Sequence, residues 1–237
     1  MQLIIVRHAE PNYVIDSVTS KGKREAKLLA KKLVKLDADY FYCSPLGRAQ
    51  KTASYTMKEL GKECATLPWL REFEGKVLQN KTKTVCWDRL PSYWTKNETY
   101  YSKNWHQTDL MKELSVETEY NYVCNGIDAL LKKHGYTHEG NIFRAEKPNH
   151  DKIILFCHFG VECVIISHLF GISPMILWHN FAALPSSVTT LVTEEREKGI
   201  AIFRMTSFGD TGHLYAGDEE PSFAARFCEC YSDDTRH

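Results

Sequence analysis

Leu3-Ile4-Ile5-Val6-Arg7-His8, close to the start of the chain, is the stretch that decides the fold we expect. Four consecutive apolar residues, three of them β-branched, are typical of a strand that is buried on both faces of a parallel sheet. In open α/β sheets, ligands bind beyond the carboxyl ends of such strands. Arg7 and His8 follow directly, so the sequence predicts a guanidinium and an imidazole at that edge.

The composition is that of a globular domain without a global charge bias. The chain has 237 residues, 43% of them hydrophobic, and its 30 Lys and Arg balance 30 Asp and Glu. We therefore expect a single domain over residues 1–237 that binds neither nucleic acid nor an anionic membrane surface. No apolar run reaches the roughly 20 residues that span a bilayer, and no signal-peptide pattern opens the chain. These features predict a cytoplasmic protein.

The eight cysteines and ten histidines show no metal-ligand spacing. No CxxC, HExxH or similar pattern occurs, so we expect no metal and mostly buried, inert thiols. Cys228 and Cys230 form the one closely spaced cysteine pair. We interpret this pair as part of a peripheral polar tail rather than as a metal or redox site.

Strand and helix patterns alternate along the chain. Strands are predicted at residues 3–6, 39–43, 152–157, 187–192 and 199–205. Helices are predicted at residues 19–36, 44–60, 116–134, 159–169 and 175–184, with Thr19 or Ser20 capping the first and Ser44 capping the second. Residues 135–151 are predicted to be a polar loop. The alternation predicts a three-layer α/β/α sandwich with a mostly parallel sheet.

Residues 76–114, which we call the cap segment, break this alternation. Aromatic side chains stand there among polar residues without a strand or helix period: Trp87, Tyr93, Trp94, Tyr100, Tyr101 and Trp105. Two interpretations remain open. The rings form a satellite core beneath a long insertion, or they cap the site and hold the organic part of a substrate.

Arg7, His8, Arg48 and His158 follow the ends of three predicted strands. Two guanidiniums match the oxygens of a phosphoryl group in bidentate pairs, and a cation at a helix N-terminus such as Arg48 favours a bound anion nearby. A neutral imidazole attacks phosphorus to form a covalent intermediate, and a second one donates to the same oxygens. A carboxylic acid must protonate the leaving alkoxide, and residues 67–75 offer two.

Four motifs, in the right order along the chain, resemble those of the histidine phosphatase superfamily, also called phosphoglycerate mutase-like. They are Arg7-His8-Ala9-Glu10, Ser44-Pro45-Leu46-Gly47-Arg48-Ala49 followed by Thr52-Ala53, Leu70-Arg71-Glu72, and Phe156-Cys157-His158-Phe159-Gly160. The resemblance covers most of the chain and is weakest over the cap segment. It implies a phosphoglycerate mutase-like fold and a place in the phosphatase branch.

The resemblance also implies roles for individual residues. His8 would be the phosphorylated nucleophile, and Glu72 would be the acid. The phosphate pocket would consist of Arg7, Arg48 and His158, with the backbone N–H of Phe159 as a further contact. Neither a metal nor a cofactor is implied.

The chain departs from the family pattern in two segments. Ala9 stands where the family commonly has Gly, and the Asn that often contacts phosphate would align near Val14, so Asn12 is the candidate to replace it. The segment from Glu72 to the following Gly is one residue shorter than usual. Glu74 is therefore an alternative acid, although we favour Glu72.

We expect a phosphatase that hydrolyses phosphomonoesters of small metabolites through a phosphohistidine on His8, with acid–base help from a Glu. A mutase that returns the phosphoryl group to a bound intermediate is the alternative. The cap segment lacks the Arg- and Pro-rich stretch of phosphoglycerate mutases, and Arg89, Lys96 and Lys103 are a thin cationic lining for a substrate with several negative charges. A non-catalytic phosphate-binding module is the third interpretation. The expected partner is a small phosphorylated metabolite, and the sequence carries no signal for an oligomeric state.

Overall fold

Strands and helices alternate in the computed structural model, which describes residues 1–79, 82–223 and 231. The strands are β1 (Gln2–Arg7), β2 (Pro11–Asn12), β3 (Ser17–Val18), β4 (Tyr40–Cys43), β5 (Ala65–Thr66), β6 (Lys76–Gln79), β7 (Thr82–Val85), β8 (Tyr136–Glu139), β9 (Ile142–Ala145), β10 (Lys152–Cys157), β11 (Val188–Glu197) and β12 (Ile200–Asp210). The helices are α1 (Ser20–Val34), α2 (Gly47–Leu60), α3 (Pro91–Trp94), α4 (Asp109–Glu113), α5 (Val116–Lys133), α6 (Phe159–Phe170), α7 (Pro174–Asn180) and α8 (Gly212–Tyr215). Short 3₁₀ turns occur at Pro68–Leu70, Glu98–Tyr101 and Trp105–Gln107.

Eight of the strands in the described part of the chain form one central sheet in the order β5-β4-β10-β1-β11-β12-β9-β8. The first four pair in parallel, and the others join through antiparallel pairs, so that six of the eight run in the same direction. Arg7 lies opposite Cys157, and Phe156 lies opposite Cys43. The residues that follow β1, β4 and β10 therefore leave the sheet at one edge.

Helices cover both faces of this sheet because side chains alternate along its central strands. Leu3 and Ile5 pack with α5, α6 and α7 on one face, whereas Ile4 and Val6 pack with α1 and α2 on the other. None of these four side chains is more than 1% exposed. Each contributes about 1.5–3 kcal/mol of transfer free energy. The predicted three-layer α/β/α sandwich with a mostly parallel sheet is confirmed, and the structure shows that the sheet is mixed.

The prediction of a loop at residues 135–151 is wrong. The strands β8 and β9 form a hairpin there, and this hairpin is one end of the central sheet. Tyr136 and Phe143 bury their rings to 2% and 1% exposure, while residues 137–141 between them offer no apolar side chain. Two four-residue strands are too short for the apolar alternation to stand out from the surrounding polar sequence.

The predicted start of the second helix is also wrong, whereas the cap of the first is confirmed. Thr19 accepts the N–H of Gly22 and caps α1. The helix α2 begins at Gly47, after Leu46, and Ser44 is not its N-cap. The Ser44 hydroxyl is fully buried, accepts the N–H of Leu46 at 3.2 Å and contacts a histidine from another strand end. A tertiary partner thus replaces the local cap.

Three aromatic rings of the cap segment belong to the main core. Trp94, Tyr100 and Trp105 are 4%, 2% and 0% exposed and pack in the cluster that contains α5, α6 and α7. The ring of Trp105 lies edge-on to that of Trp178 at 5.3 Å. The core interpretation therefore applies to these rings, although they join the main core rather than a satellite one.

The structure bears on two further expectations, those for membrane spans and for cysteines. Within residues 1–79, 82–223 and 231, none of the helices has the length and apolar content to cross a bilayer.

The six cysteines in these ranges form no disulfide bonds, and all except Cys64 are buried. Burial raises the pKa of the Cys157 and Cys163 thiols well above the usual value, which keeps them protonated. Cys228 and Cys230 lie outside the described residues.

Candidate active site

His8 follows the last residue of β1 and is 2% exposed. Its Nδ1 lies 2.8 Å from the carbonyl oxygen of Ala9. Because a carbonyl oxygen only accepts, Nδ1 carries the proton and Nε2 keeps its lone pair. Burial and the charges of Arg7 and Arg48 hold the pKa of His8 well below its usual range. The ring is therefore neutral near pH 7, which is the nucleophilic form.

The chain after His8 is bonded to the helix that carries Arg48. The N–H of Ala9 donates to the Thr52 hydroxyl at 2.9 Å, and that hydroxyl donates to the carbonyl oxygen of Arg48 at 2.8 Å. Thr52 is fully buried, so water does not compete for either bond. The Thr52 hydroxyl thus links the residue after His8 to the backbone of Arg48, and this link fixes the position of the His8 imidazole relative to α2.

A buried carboxylate in α1, that of Glu25, holds the same loop from the other side. It is 0% exposed and accepts the N–H of Glu10 at 2.8 Å. It also accepts the hydroxyl of Ser186 and the N–H of Ser222, both at 3.2 Å. These bonds compensate the carboxylate for the water that it loses on burial.

Arg48, in the first turn of α2, is paired with Asp16. Its Nη1 donates to Oδ1 of Asp16 at 2.7 Å, and the other carboxylate oxygen accepts the N–H of Gly47 at 2.7 Å. Burial raises the pKa of Asp16, but the Gly47 N–H and the guanidinium lower it more, so the net shift is downward. The Arg48 Nε is buried and has no hydrogen-bond partner in the described part of the chain. Arg48 therefore keeps a donor for a ligand.

His158 occupies the position before the first residue of α6 and is 0% exposed. Its Nε2 lies 2.8 Å from the hydroxyl oxygen of Ser44, and its Nδ1 is buried without a hydrogen-bond partner among the described residues. Ser44 already accepts an N–H, so its own proton is available to Nε2, and a neutral ring then carries its proton on Nδ1. The rings of His8 and His158 are 5.0 Å apart between centroids. Burial, followed by the charges around it, lowers the pKa of His158 well below its usual range.

Arg7 and the N-terminus of α6 lie next to each other. The Arg7 side chain is largely buried, Nη1 donates to the carbonyl oxygen of Ala183, and the guanidinium carbon is 5.9 Å from the centroid of the Phe159 ring. Phe159 is the first residue of α6, so its N–H has no acceptor within the helix. A guanidinium and an N-terminal N–H group thus border the same space, which favours an anion.

Glu72 is directed to the N-terminus of α6. Its Oε1 accepts the N–H of Val161 at 3.1 Å and that of Phe73 at 2.9 Å. Burial raises the pKa of Glu72 to about 7, although Arg48 and Arg7 act in the opposite direction. A carboxyl group with this pKa gives and takes protons near neutral pH.

Glu74 lies in a different set of contacts. Its backbone N–H donates to Oε1 of Glu119 at 2.9 Å, and the N–H of Gly75 donates to the other oxygen of the same carboxylate at 2.8 Å. Glu119 belongs to α5, so this part of the loop is attached to that helix. The Glu72 carboxylate therefore contacts α6, the helix that follows His158, whereas the backbone of Glu74 is bound to α5.

Two tryptophans support the backbone on either side of the Glu72 carboxylate. The indole N–H of Trp87, in the cap segment, donates to the carbonyl oxygen of Phe73 at 2.8 Å. The indole N–H of Trp178 donates to the carbonyl oxygen of Gly160 at 3.1 Å. A Cβ on Gly160 would lie 2.6 Å from Oε1 of Glu72, so this position has room only for glycine.

Glu162 is a second carboxylate next to these groups, and the sequence did not point to it. It is 1% exposed, and neither of its oxygens has a hydrogen-bond partner within the described ranges. Burial raises the pKa of Glu162 to about 7. The nearby Thr189 and Arg7 side chains lower this pKa but only partly offset the effect of burial, and the charge of Glu72 raises it further.

Asn12 lies in the short hairpin of β2 and β3. Its side-chain oxygen accepts the N–H of Val14 at 3.1 Å, which closes a local turn. Within the described residues, no hydrogen bond joins Asn12 to the two arginines or the two histidines of the site. The same hairpin instead contributes Asp16 and the ring of Tyr13, whose centroid is 5.4 Å from the Arg48 guanidinium carbon.

A family model provides the decisive comparison. The model of the histidine phosphatase superfamily (branch 1) matches residues 3–205, which include all the residues of the candidate site described in this section except Ser222. The chain belongs to the histidine phosphatase superfamily. No curated protein sequence is significantly similar to it.

Solved structures of other histidine phosphatases share this fold. A mutant phosphoserine phosphatase from Entamoeba histolytica in complex with phosphoserine matches with a TM-score of 0.62 and 19% identity, over 90% of this chain and 98% of that one. A mycobacterial glucosyl-3-phosphoglycerate phosphatase in complex with VO3 matches with a TM-score of 0.58 and 15% identity, over 89% and 99%. YhfR from Bacillus stearothermophilus matches with a TM-score of 0.57 and 16% identity, over 90% and 98%. These neighbours show the shared fold, and the superfamily itself indicates a hydrolase of phosphate esters.

The supporting residues of this histidine phosphatase were harder to find in the sequence than its arginines and histidines. Asp16 lies in a stretch without strand or helix pattern, and its positive φ of 43° gave no sequence signal because Asp is common in turns. Glu162 stands in the first turn of a helix, where an acidic residue is ordinarily explained by the helix dipole. Only the packing of α6 against the sheet shows that it is buried.

Proposed function

We propose that this protein hydrolyses phosphomonoesters of small metabolites through a phosphohistidine formed on Nε2 of His8. The observation that carries the proposal is the hydrogen bond from Nδ1 of His8 to the carbonyl oxygen of Ala9, at 2.8 Å in a buried site. It fixes the tautomer in which Nε2 has a free lone pair, beside a second neutral imidazole. The family membership supports the same reaction class.

In the first step, Nε2 of His8 forms a bond to phosphorus while the bond from phosphorus to the ester oxygen breaks. Glu72 transfers its proton to that oxygen, so the alcohol leaves neutral. The donors of Arg7, Arg48 and His158 stabilise the charge on the phosphoryl oxygens during the transfer.

In the second step, the Glu72 carboxylate takes a proton from water, and the water oxygen bonds to phosphorus as the P–N bond breaks. His8 returns to its neutral form, inorganic phosphate leaves, and Glu72 is again protonated. Side chains of this chain supply the nucleophile, the acid–base group and the cationic donors in both proposed steps, and neither step uses a metal or a cofactor.

We assign the substrates to the class of small phosphorylated metabolites. The names of two structural neighbours refer to phosphoserine and to glucosyl-3-phosphoglycerate, and these compounds are the first members of a test panel. Trp87 of the cap segment is hydrogen-bonded to Phe73, the residue after Glu72. An aromatic ring at this place favours a substrate whose organic portion makes van der Waals contact with it.

The experiment measures phosphate release from p-nitrophenyl phosphate and from the panel with wild type and His8→Ala. We expect His8→Ala to abolish turnover, whereas His150→Ala, at an exposed loop position, serves as the matched control and keeps it. Rapid quench with ³²P-labelled substrate should trap an acid-labile, alkali-stable phosphoprotein in the wild type alone.

Three results would overturn the proposal. Full activity in His8→Ala would remove the nucleophile. Rapid interconversion of 3- and 2-phosphoglycerate would make the protein a mutase. Binding of phosphate without turnover of any panel member would make it a non-catalytic binding module.

A further inference from the structure

Asp128, His138 and His168 form a cluster that the proposed reaction does not use. They come from α5, β8 and α6, so three elements meet there. Nδ1 of His138 lies 3.0 Å from Oδ1 of Asp128, and Nε2 of His168 lies 2.9 Å from the same oxygen. The two ring nitrogens are 3.1 Å apart. Two imidazole nitrogens and a carboxylate thus face one point.

We propose that this cluster binds a zinc ion. Zn²⁺ takes imidazole nitrogen at about 2.0–2.1 Å and carboxylate oxygen at about 2.0–2.2 Å, which places tetrahedral ligands about 3.3 Å apart. The donor atoms here are separated by 2.9 to 3.1 Å, so each has to move outward by only a few tenths of an ångström. Two histidines and one carboxylate are also a donor set that Zn²⁺ prefers to Mg²⁺ or Ca²⁺.

The arrangement of the two imidazoles favours a cation over a hydrogen-bonded triad. When both nitrogens donate to the same carboxylate, two N–H dipoles point the same way with their nitrogens 3.1 Å apart and repel each other. A dication at their common focus replaces both protons and attracts all three donors. Metal binding then leaves each ring with its proton on the other nitrogen.

The rings are held in place before any ion arrives. His138 stacks on Phe143 with centroids 4.4 Å apart and planes 12° apart, and His168 meets His138 edge-on at 4.7 Å. The side chains of Asp128, His138 and His168 are 32%, 15% and 18% exposed, so an ion can enter from solvent. A ligand set that is already oriented loses little conformational entropy on binding.

A cavity of about 270 Å³ adjoins the two histidines and leaves a coordination position for solvent. Gly140, Asn141 and Lys103 are among the residues that line it. The ammonium group of Lys103 donates to the side-chain oxygen of Asn141 at 2.6 Å, so its positive charge is engaged with an amide. Three protein ligands and a fourth position open to solvent are one of the coordination patterns that Zn²⁺ adopts in proteins.

The zinc site is separate from the proposed phosphate site. His168 follows His158 by ten residues along α6, which corresponds to about 15 Å at the rise of an α-helix. The inference therefore stands on its own geometry and does not depend on the proposed reaction. A bound ion would join α5, β8 and α6, and because it binds only the folded chain it would stabilise the protein.

The test titrates Zn²⁺ into the full chain, after treatment with chelator and desalting, in competition with a chromogenic chelator. We expect one tightly bound ion per chain and a rise in Tm on adding zinc. His168→Ala and the near-isosteric Asp128→Asn should each lose the ion and the rise in Tm. His150→Ala, an exposed histidine of a loop, and His8→Ala should keep both. Circular dichroism of the zinc-free variants checks that they fold.

Cobalt substitution identifies the ligands directly. Co²⁺ bound to two imidazoles and a carboxylate should give an intense visible d–d spectrum without the near-ultraviolet charge-transfer band of thiolate ligands. The proposal is overturned if wild type and Asp128→Asn bind zinc equally, if wild type binds none, or if the thiolate band assigns the ion to cysteines.

Discussion

The carboxylate of Glu72 accepts the backbone N–H of Val161 at 3.1 Å and so joins the loop after β5 to the N-terminus of α6. The helix dipole and two backbone donors favour the ionised carboxylate. Burial favours the neutral acid more strongly and raises the pKa of Glu72 to about 7. The two effects together keep this group close to the midpoint of its titration in neutral solution, which suits a residue that first donates and then accepts a proton.

Replacement of this carboxylate provides the first prediction. Glu72→Gln should lower kcat/KM, which reports the step in which the alcohol leaves, by about 10²–10⁴-fold for an alkyl phosphate, the range typical of general acid catalysis. The loss should be smaller for p-nitrophenyl phosphate, because p-nitrophenolate leaves without protonation. Glu74→Gln is the matched control and should retain activity with both substrates. Steady-state kinetics with the two substrates measures both variants. If Glu74→Gln lost activity and Glu72→Gln retained it, Glu74 would be the acid.

The pH dependence of kcat/KM provides the second prediction. The first step needs Glu72 protonated, so kcat/KM should fall as the pH rises through about 7. The low pKa of His8 keeps the nucleophile neutral on the acidic side of this transition. Glu72→Gln should remove the descending limb, whereas Glu162→Gln, which removes the neighbouring carboxylate, should keep it. A limb that survives in Glu72→Gln, after correction for the second ionisation of the substrate, would contradict the assignment.

Gly160 provides the third prediction, because a Cβ there would lie 2.6 Å from Oε1 of Glu72. Gly160→Ala should displace the carboxylate and lower kcat for the alkyl phosphate, with little change in KM. The same substitution in a Glu72→Gln background should add almost no further loss, since the two changes act through one group. A double-mutant cycle measures this. Additive losses would show that Gly160 serves the backbone rather than the acid.

The strands that deliver the arginines and histidines were predictable because their signal is local. Continuous apolar runs can be buried only in the middle of a sheet, and the strand over residues 152–157 was predicted with the bounds that β10 has. Arg7 ends the first of these strands and His158 directly follows β10. Their place at the edge of the sheet could therefore be predicted from their position in the sequence.

The residues that orient these groups were not predictable, because their contacts are distant in sequence. Asp16 meets Arg48 across 32 residues, and the hydroxyl of Ser44 meets His158 across 114. A short local pattern favoured Ser44 as a helix cap, and the structure shows the tertiary contact instead. The cluster of Asp128, His138 and His168 was not predictable for the same reason, since its donors come from two helices and a strand and have no motif spacing.

Glu162 provides the fourth prediction, which concerns stability. Its pKa rises from 4.5 in the unfolded chain to about 7 in the folded one, so the folded state binds the proton more tightly and loses stability as the pH rises between these values. Glu162→Gln lacks this loss. Relative to wild type, its free energy of unfolding should therefore increase from about pH 5 to about pH 8, by up to about 3 kcal/mol. Urea unfolding at both pH values measures the difference, and an unchanged difference would place the Glu162 carboxyl in contact with water.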